Sequence, residues 1–365
     1  MNIQKLVIDG YRAIDHFEYE PNVINVLVGR NGTGKSSILE AIAIGYTAPT
    51  GFCDRLGVNV LERTLEEKGW EQEYLFHVAK DRKEFRIVTV REGVEVSVRA
   101  LYEKDGAVPE QVRDLVAEYC AGKSSGEPIT LLVGSERLEI GWSPAEEAEC
   151  VGPNLKGPIL HGQISPSHVH FAALPAERKV LTRVSVPADL ILCGRGFEGE
   201  IDAKHLYDVL LPAGRIGRVL GYLGRYVPHF EDLRSDGRTL WVYSEGQQPL
   251  PLSAMGDGFR ESVRLMLASG LVPGGVLVVD GFRSLHPALT DILAEWLVEE
   301  ARQEKTQVFI STQNLEFIGK LLRTGGELVN LVRLYRVRDE LAYEVLSCGE
   351  ALEELDELRI DLRGP

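Results

Sequence analysis

Residues 29–36 read Gly-Arg-Asn-Gly-Thr-Gly-Lys-Ser, and no other part of the chain says as much about its architecture. The segment follows the apolar, strand-like run Val23 to Val28 and precedes the helix-like run Ser37 to Ile44. Glycines at this spacing let several backbone N–H groups curl around a polyphosphate at the positive end of a helix. The segment therefore predicts a phosphate-binding loop. The alternative is a glycine-rich turn without a ligand.

The two residues that close the loop have distinct expected roles. Lys35 is expected to contact the β and γ phosphates, and the hydroxyl of Ser36 is expected to bind magnesium. The predicted ligands are thus ATP and Mg²⁺. The predicted ATP-binding residues are Gly29, Arg30, Asn31, Gly32, Thr33, Gly34, Lys35, Ser36 and Ser37.

Composition limits the class of protein. With 365 residues and 44% hydrophobic content, the chain can bury a large core and divide into about two lobes. No apolar run reaches the roughly 18 residues that span a bilayer, and the first residues lack an apolar signal, so we expect a cytoplasmic protein without a membrane partner. The net charge of −15 opposes nonspecific binding of nucleic acid. The five scattered cysteines argue against a disulfide framework.

The first part of the chain is rich in predicted strands. Ile3 to Ile8 is expected to form a strand that opens an α/β nucleotide-binding core together with Val23 to Val28. The runs Tyr74 to Ala79, Phe85 to Arg91 and Val94 to Leu101 alternate and are separated by polar turns, which predicts an antiparallel meander. A helix is expected around residues 109–119.

Strands and helices alternate again late in the chain. Strand Val276 to Asp280, helix Pro287 to Arg302 and strand Gln307 to Thr312 predict a sheet that is interrupted and then resumed. The fold class is therefore α/β, a P-loop NTPase with a mixed sheet core, an antiparallel β insertion and a helical lobe. The expected segments are 1–150 for the nucleotide-binding lobe with the insertion, 151–260 for a linker and helical lobe, and 261–365 for the second half of the core.

Asp280 is the predicted partner of the loop in binding magnesium. It ends the apolar run Val276-Leu277-Val278-Val279, and a carboxylate at the end of a neighbouring strand can hold the magnesium shell. The alternative is an aspartate that only caps a helix.

A second anion site is predicted where small residues precede an amphipathic helix. Ser253, Gly256, Asp257 and Gly258 lie before the run Phe259, Val263, Met266. Exposed N–H groups and the helix dipole favour a phosphate at such a position. Because Gly29 to Ser36 already serves one nucleotide, this site would receive the γ-phosphate of a nucleotide held by another subunit. The alternative is a plain capped helix.

Two further clusters of side chains, one of arginines and one of histidines, give weaker indications of a binding site. Arg215, Arg218 and Arg225 lie on one side of an amphipathic run and could contact nucleic acid, whereas the alternative is a solvated helix face. His161, His168 and His170 have a spacing that could bind a metal, although no cysteine or acidic residue lies in that segment, which favours an ordinary polar loop.

Taken together, the motifs resemble the ABC-type ATPase heads of the RecF, SMC and OLD group, also classed simply as AAA ATPases. The resemblance includes the opening Lys5-Leu6-Val7-Ile8-Asp9-Gly10-Tyr11-Arg12, the phosphate loop (Walker A), the signature-like segment 252–258, the strand ending in Asp280 (Walker B), Leu285-His286-Pro287 and the closing Asp361-Leu362-Arg363. It implies two heads that sandwich two ATP molecules, each between one Walker A and the opposite signature. It also makes Gln163 a candidate magnesium-sensing glutamine.

The chain departs from the family pattern at both catalytic positions. Such ATPases follow the Walker B aspartate with a water-polarising glutamate, but here Gly281 follows, and residues 281–284 contain no carboxylate. The spacing before Leu-His-Pro is also one residue short, so the glutamate is either deleted or substituted. Where the family has a γ-phosphate-sensing histidine, this chain has Gln313, which has no useful proton affinity.

These departures predict a protein that binds Mg-ATP and dimerises with an identical or different head, with weak or absent hydrolysis. Loss of such groups costs about 10² to 10⁴ in rate. The chain would then complete the active site of a partner head. The alternative is an active ATPase that uses another carboxylate, Asp257 or Glu261, in DNA repair, maintenance or anti-phage defence, with DNA or a DNA-acting protein as partner. A P-loop kinase or GTPase is disfavoured, because neither an arginine-rich lid nor an Asn-Lys-x-Asp run is present.

Overall fold

The computed structural model describes residues 2–69, 72–76, 84–103, 110–111, 114–115, 117, 129–133, 136–140, 159–165, 169–174, 178–182, 187–194, 203–225, 227, 229–281, 287–338, 340–357 and 361–363. The strands are β1 (Ile3–Tyr11), β2 (Ile14–Tyr19), β3 (Ile24–Gly29), β4 (Glu84–Arg91), β5 (Val94–Glu103), β6 (Ile129–Val133), β7 (Glu136–Ile140), β8 (Ile159–Ser165), β9 (Val169–Leu174), β10 (Lys179–Thr182), β11 (Leu190–Gly194), β12 (Phe230–Ser235), β13 (Leu240–Ser244), β14 (Leu250–Pro251), β15 (Val276–Asp280), β16 (Gln307–Ser311), β17 (Val329–Val337) and β18 (Glu340–Ser347).

The α-helices are α1 (Lys35–Thr47), α2 (Val60–Glu66), α3 (Ala203–Leu210), α4 (Ile216–Leu223), α5 (Asp257–Gly270), α6 (Pro287–Glu299), α7 (Leu315–Gly325) and α8 (Cys348–Leu352). Short 3₁₀ turns lie at Ala48–Thr50, Gln72–Leu75, Leu252–Ala254 and Gly326–Leu328, and π turns lie at Glu300–Glu304 and Glu353–Glu357.

The chain forms two compact units that alternate along the sequence. The core unit contains Met1–Asn2, Pro21–Leu39 and Asp189–Pro365, and the β unit contains Ile3–Glu20 and Glu40–Ala188. These bounds differ from the expected segments 1–150, 151–260 and 261–365. The reason is strand pairing, because β1 pairs with β4 in the β unit whereas β3 pairs with β16 and β17 in the core unit.

A six-stranded mixed sheet forms the centre of the core unit, in the order β11-β15-β16-β3-β17-β18. The first five strands run parallel, and only β18 is antiparallel to its neighbour. Every residue of β3 and β16 is buried, as expected for parallel strands covered on both faces. The order places β16 between the strand that precedes the phosphate loop and the strand that ends in Asp280.

Helices of the core unit begin at recognisable sequence signals. Helix α6 begins at Pro287, a residue whose fixed φ suits the first helical position. The side chain of Asn314 caps α7 by accepting a hydrogen bond from the Phe317 N–H, and Ser347 and Glu350 form a capping box at α8. The indole of Trp296 on α6 donates a 2.7 Å hydrogen bond to Ser269 on α5, which fixes these two helices to each other.

A seven-stranded antiparallel sheet dominates the β unit, in the order β10-β9-β8-β5-β4-β1-β2. Alternate residues of β1 are buried, and aromatic pairs fill the core, with ring centroids 5.1 Å apart for Tyr11 and Phe85 and 5.0 Å apart for Phe52 and Phe171. The predicted mixed core with an antiparallel β insertion is therefore confirmed.

Two local predictions are wrong, and a third lies largely outside the described residues. Strand β1 belongs to the antiparallel sheet rather than to the nucleotide-binding core, and its partner β2 is absent from the sequence-based prediction. The strand predicted at Tyr74 to Ala79 is wrong at its start, since Gln72–Leu75 is a 3₁₀ turn and Phe76 makes an isolated bridge to Tyr11. The helix predicted around residues 109–119 lies largely outside the described residues.

Candidate functional site

The phosphate loop connects β3 to α1 in the core unit. Its first glycine, Gly29, has φ +146°, a backbone conformation that L side chains rarely adopt. A Cβ atom at Gly29 would lie 2.3 Å from the backbone oxygen of Leu334 on β17. Only glycine fits this position, because the loop packs closely against the backbone of the neighbouring strand β17.

Lys35 is held inside the loop. Its Nζ atom donates hydrogen bonds to the backbone oxygens of Gly29 and Arg30, each 2.7 Å long. Burial lowers the pKa of the Lys35 ammonium from its ordinary value, and the negative charge of Asp280 opposes that shift. The predicted phosphate-binding lysine and the predicted magnesium-binding aspartate therefore lie within electrostatic reach of each other.

Asp280 ends β15 and is oriented by a hydrogen bond. The Ser311 hydroxyl, at the end of β16, donates to Asp280 Oδ1 over 2.8 Å. A carboxylate and the Ser36 hydroxyl are the hard oxygen ligands that Mg²⁺ prefers, so the residues present fit that ion. Gln163 lies within β8 of the β unit, where it pairs with Arg99 of β5, and its proposed role toward magnesium stays a prediction.

Gly281 follows Asp280, where the family resemblance predicts a catalytic glutamate, and it has φ +72°. A non-glycine residue at this angle is strained whatever the space, although a Cβ atom would approach only Ser311 Oγ, at 3.9 Å. The backbone therefore leaves β15 in a conformation adapted to glycine. An added side chain would also leave the backbone in a different direction from that of an extended residue.

Gln313 follows β16 and reaches the opposite side of the site. Its Nε2 atom donates to Asn31 Oδ1 over 2.9 Å and to the Gly29 oxygen over 3.4 Å. Gln313, predicted to replace the family's histidine, thus contacts the phosphate loop through a neutral amide. The sequence alone gave no indication that Asn31 would be its partner.

The signature-like segment lies on the surface at the beginning of α5. Ser253 is exposed within the 3₁₀ turn Leu252–Ala254, and exposed Gly256 precedes the first helical residue, Asp257. Within the described residues, no side chain caps this helix, and a Cβ atom at Gly256 would meet nothing within 4 Å. Helix α5 therefore begins at an exposed glycine, and the proposed role of this segment toward a phosphate stays a prediction.

The three arginines predicted to form a basic stripe have carboxylate partners. Arg215 lies 2.9 Å from Glu304, Arg218 lies 3.0 Å from Glu300 and 2.7 Å from Glu304, and Arg225 lies 2.6 Å from Glu295. The guanidinium of Arg218 also stacks over the Trp296 ring at 5.4 Å. These pairs favour a structural helix face over nucleic-acid contact, which remains a prediction.

Glu300 is the most buried member of this arginine cluster, with a side chain only 1% exposed. Burial raises the pKa of Glu300 to about 7, because a low-dielectric surrounding disfavours the charged form, while the charge of Arg218 acts in the opposite direction.

Two other expectations concern metals and membranes. Within the described residues, no group of three or more His, Cys, Asp and Glu side chains could hold a metal. His168 and the side chains of His161 and His170 lie outside what the structure describes. No described helix is both long enough and apolar enough to cross a bilayer.

Two protein-family models match the segments that contain the candidate site. The model described as "AAA ATPase domain" matches residues 1–85, which include the phosphate loop. The model described as "AAA domain, putative AbiEii toxin, Type IV TA system" matches residues 196–319, which include the signature-like segment, Asp280 and Gln313.

Two sequence relatives match about a third of the chain each. An uncharacterised protein of Methanocaldococcus jannaschii is 30% identical over 115 residues, which are 30% of this chain and 100% of that protein. The DNA replication and repair protein RecF of Bifidobacterium adolescentis is 32% identical over 118 residues, which are 32% of this chain and 27% of RecF.

Solved structures of SMC heads share the fold. A head bound to the C-winged helix domain of ScpA has a TM-score of 0.52 and 12% identity, with 96% of this chain and 100% of that chain covered. A head with an extended coiled coil, bound to the C-terminal domain of ScpA derived from Pyrococcus furiosus, has a TM-score of 0.51 and 12% identity, with 98% and 99% covered. At this identity the likeness shows the fold alone.

Fold and site define an ATPase of the P-loop class. The matches support an ABC-type ATPase head similar to those of the RecF and SMC group.

The conformation of Gly281 leads to a prediction about restoring the glutamate. Gly281→Glu and the control Gly281→Ala should each lower the free energy of unfolding by about 1 kcal/mol, because both place a Cβ atom on a left-handed residue. Neither should raise ATP turnover above that of the unaltered chain. Urea unfolding and a phosphate-release assay measure the two effects. Turnover gained by Gly281→Glu but not by Gly281→Ala would contradict this account.

Glu300 leads to a prediction about pH. The pKa of Glu300 in the folded protein, about 7, lies above its ordinary value of 4.5. The folded state is therefore favoured fully while Glu300 is neutral, below pH 4.5, and this part of the free energy of unfolding is lost as pH rises through 7. The unaltered chain should therefore lose stability relative to Glu300→Gln between about pH 5 and about pH 8, by up to about 3 kcal/mol. Urea unfolding of both proteins at the two pH values measures the difference. An equal difference at both values would refute the assignment.

Proposed function

We propose that the chain binds Mg-ATP between the ends of three adjacent parallel strands. One observation supports this most strongly. The phosphate loop with its Lys35 ammonium follows β3, and the Asp280 carboxylate ends β15, so both lie at the same edge of the sheet. The glycine-dependent loop and the beginning of α1 offer backbone N–H groups to phosphate oxygens. Ser36 and Asp280 would hold the magnesium ion, which would neutralise phosphate charge.

We further propose that binding at this site is separated from hydrolysis. Lys35, Ser36 and Asp280 govern affinity and are all present. A water-orienting carboxylate is missing from residues 281–284, and Gln313 cannot accept a proton at neutral pH. Because such groups contribute about 10² to 10⁴ in rate, intrinsic hydrolysis would be slow or absent.

The exposed start of α5 supports ATP-dependent association of two heads. The positive end of this helix dipole, at exposed Gly256, would bind the γ-phosphate of a nucleotide held by an identical or different head. In a mixed dimer this chain would complete the active site of a partner that retains glutamate and histidine. Two of the SMC heads with this fold are described as bound to ScpA domains. For this chain we propose DNA or a DNA-acting protein as a further partner.

The second candidate function is an active ATPase with a substitute carboxylate. Asp257 favours it, since its side chain is exposed at the start of α5, where it pairs with Arg260. Glu261 is a weaker candidate, because it pairs with Arg264 at 3.2 Å and is 17% exposed.

Loss of the loop lysine tests nucleotide binding. Lys35→Ala should weaken ATP binding in the presence of Mg²⁺ by at least about tenfold, because a charged hydrogen bond contributes about 1.5 to 3 kcal/mol. Isothermal titration calorimetry measures the affinity. Lys320→Ala is the matched control, since Lys320 pairs with Asp291 on the surface and should leave ATP affinity unchanged. Equal affinity of Lys35→Ala and the unaltered chain would reject the site.

A negative charge at Gly256 tests the association of heads. Gly256→Asp should abolish ATP-dependent dimers in sedimentation, because its carboxylate repels a phosphate while serving α5 well as a cap. The fold should tolerate the change, since φ is −60° and nothing lies within 4 Å of the new Cβ atom. Gly256→Ser is the uncharged control and should still dimerise. If Gly256→Asp dimerises normally with ATP or with a partner head, the beginning of α5 has no role in the association of heads.

A further inference from the structure

The end of β16 contacts both halves of the candidate site. In the parallel sheet, Ser311 pairs in register with Asp280 of β15 on one side and with Leu27 of β3 on the other. Two residues later, Gln313 reaches the phosphate loop through Asn31. Strand β16 therefore determines how the carboxylate and the loop are held relative to each other.

The hydroxyl of Ser311 fixes the rotation of the Asp280 carboxylate. Its 2.8 Å hydrogen bond goes to Oδ1 alone, and Ser311 is only 4% exposed, so water cannot easily replace the donor. A free aspartate rotates broadly about its last side-chain torsion. With Oδ1 engaged by Ser311, the direction in which Oδ2 points is set.

We propose that Ser311 is a positioning residue that orients Asp280 to bind the magnesium ion of Mg-ATP. The inference rests on the proposed binding of Mg-ATP and adds a residue that no sequence motif indicates. Groups that hydrogen-bond a metal-binding side chain restrict its orientation, and their removal typically weakens metal affinity by 10- to 100-fold.

A purely structural role would have a different consequence. A buried hydroxyl requires a hydrogen-bond partner, and Asp280 could simply supply one. Ser311→Ala would then lower stability without a specific effect on magnesium. Ser269, near the end of α5, offers a matched control, because it is also buried and its hydroxyl accepts a 2.7 Å hydrogen bond from the Trp296 indole.

The experiment is a magnesium titration of nucleotide binding. A fluorescent ATP analogue is bound to the unaltered chain, Ser311→Ala, Ser311→Thr and Ser269→Ala, first in EDTA and then with increasing Mg²⁺. Ser311→Ala should bind the analogue in EDTA as the unaltered chain does but require roughly tenfold more Mg²⁺ for half-maximal tightening. Ser311→Thr, which keeps the hydroxyl, should restore the midpoint. Ser269→Ala should lower the urea midpoint and leave the magnesium midpoint unchanged.

The outcomes separate this inference from the proposed function. An unchanged magnesium midpoint in folded Ser311→Ala would overturn the positioning role while leaving Mg-ATP binding intact. If Ser311→Ala does not fold, an unshifted midpoint in Ser311→Cys, which replaces the hydroxyl by a weak donor, overturns it equally. An unaltered chain that binds no analogue, or binds it without any magnesium effect, would overturn both.

Discussion

The proposed nucleotide site depends on the position of β16 between β15 and β3 in a parallel sheet. The carboxyl ends of parallel strands lie at one edge, so the loop after β3, the carboxylate ending β15 and the polar residues ending β16 meet there. Hydrogen bonds from Ser311 to Asp280 and from Gln313 to Asn31 connect the three strand ends directly. The tight approach of Gly29 to Leu334 adds β17 to the same arrangement.

Binding and hydrolysis have different structural requirements at this edge. Affinity for a polyphosphate comes from backbone N–H groups, one ammonium and one carboxylate, which need only the loop and the strand order. Hydrolysis needs, in addition, a group that orients water. Gly281 follows Asp280 in a left-handed conformation, so the backbone there is adapted to glycine. We propose that this glycine takes the place of the water-orienting glutamate, and its conformation would make the replacement part of the local fold.

Much of the core could be predicted from the sequence because its signals are local. The loop, the strand ending in Asp280 and the strand Gln307–Ser311 each show their character within a short segment. The pairing of β1 was not predictable, because its alternation of apolar and polar residues suits either sheet. Its partner β4 also lies far along the chain, after the phosphate loop and α1. Gln313 and Asn31 are 282 positions apart, and Arg215 and Glu304 are 89 apart, so only the fold brings them together. The three arginines of the predicted basic stripe illustrate this, because the sequence shows their charges but not the carboxylates with which they pair.

The central claim is that this site holds ATP without hydrolysing it, and the most direct test follows the chemical fate of the bound nucleotide. The chain would be loaded with Mg-ATP, freed of excess nucleotide and quenched with acid after increasing times, and the released nucleotide would be identified by chromatography. The account predicts that ATP is recovered intact over a time in which a competent head converts it to ADP. Conversion of the bound ATP to ADP by the unaltered chain alone would contradict it.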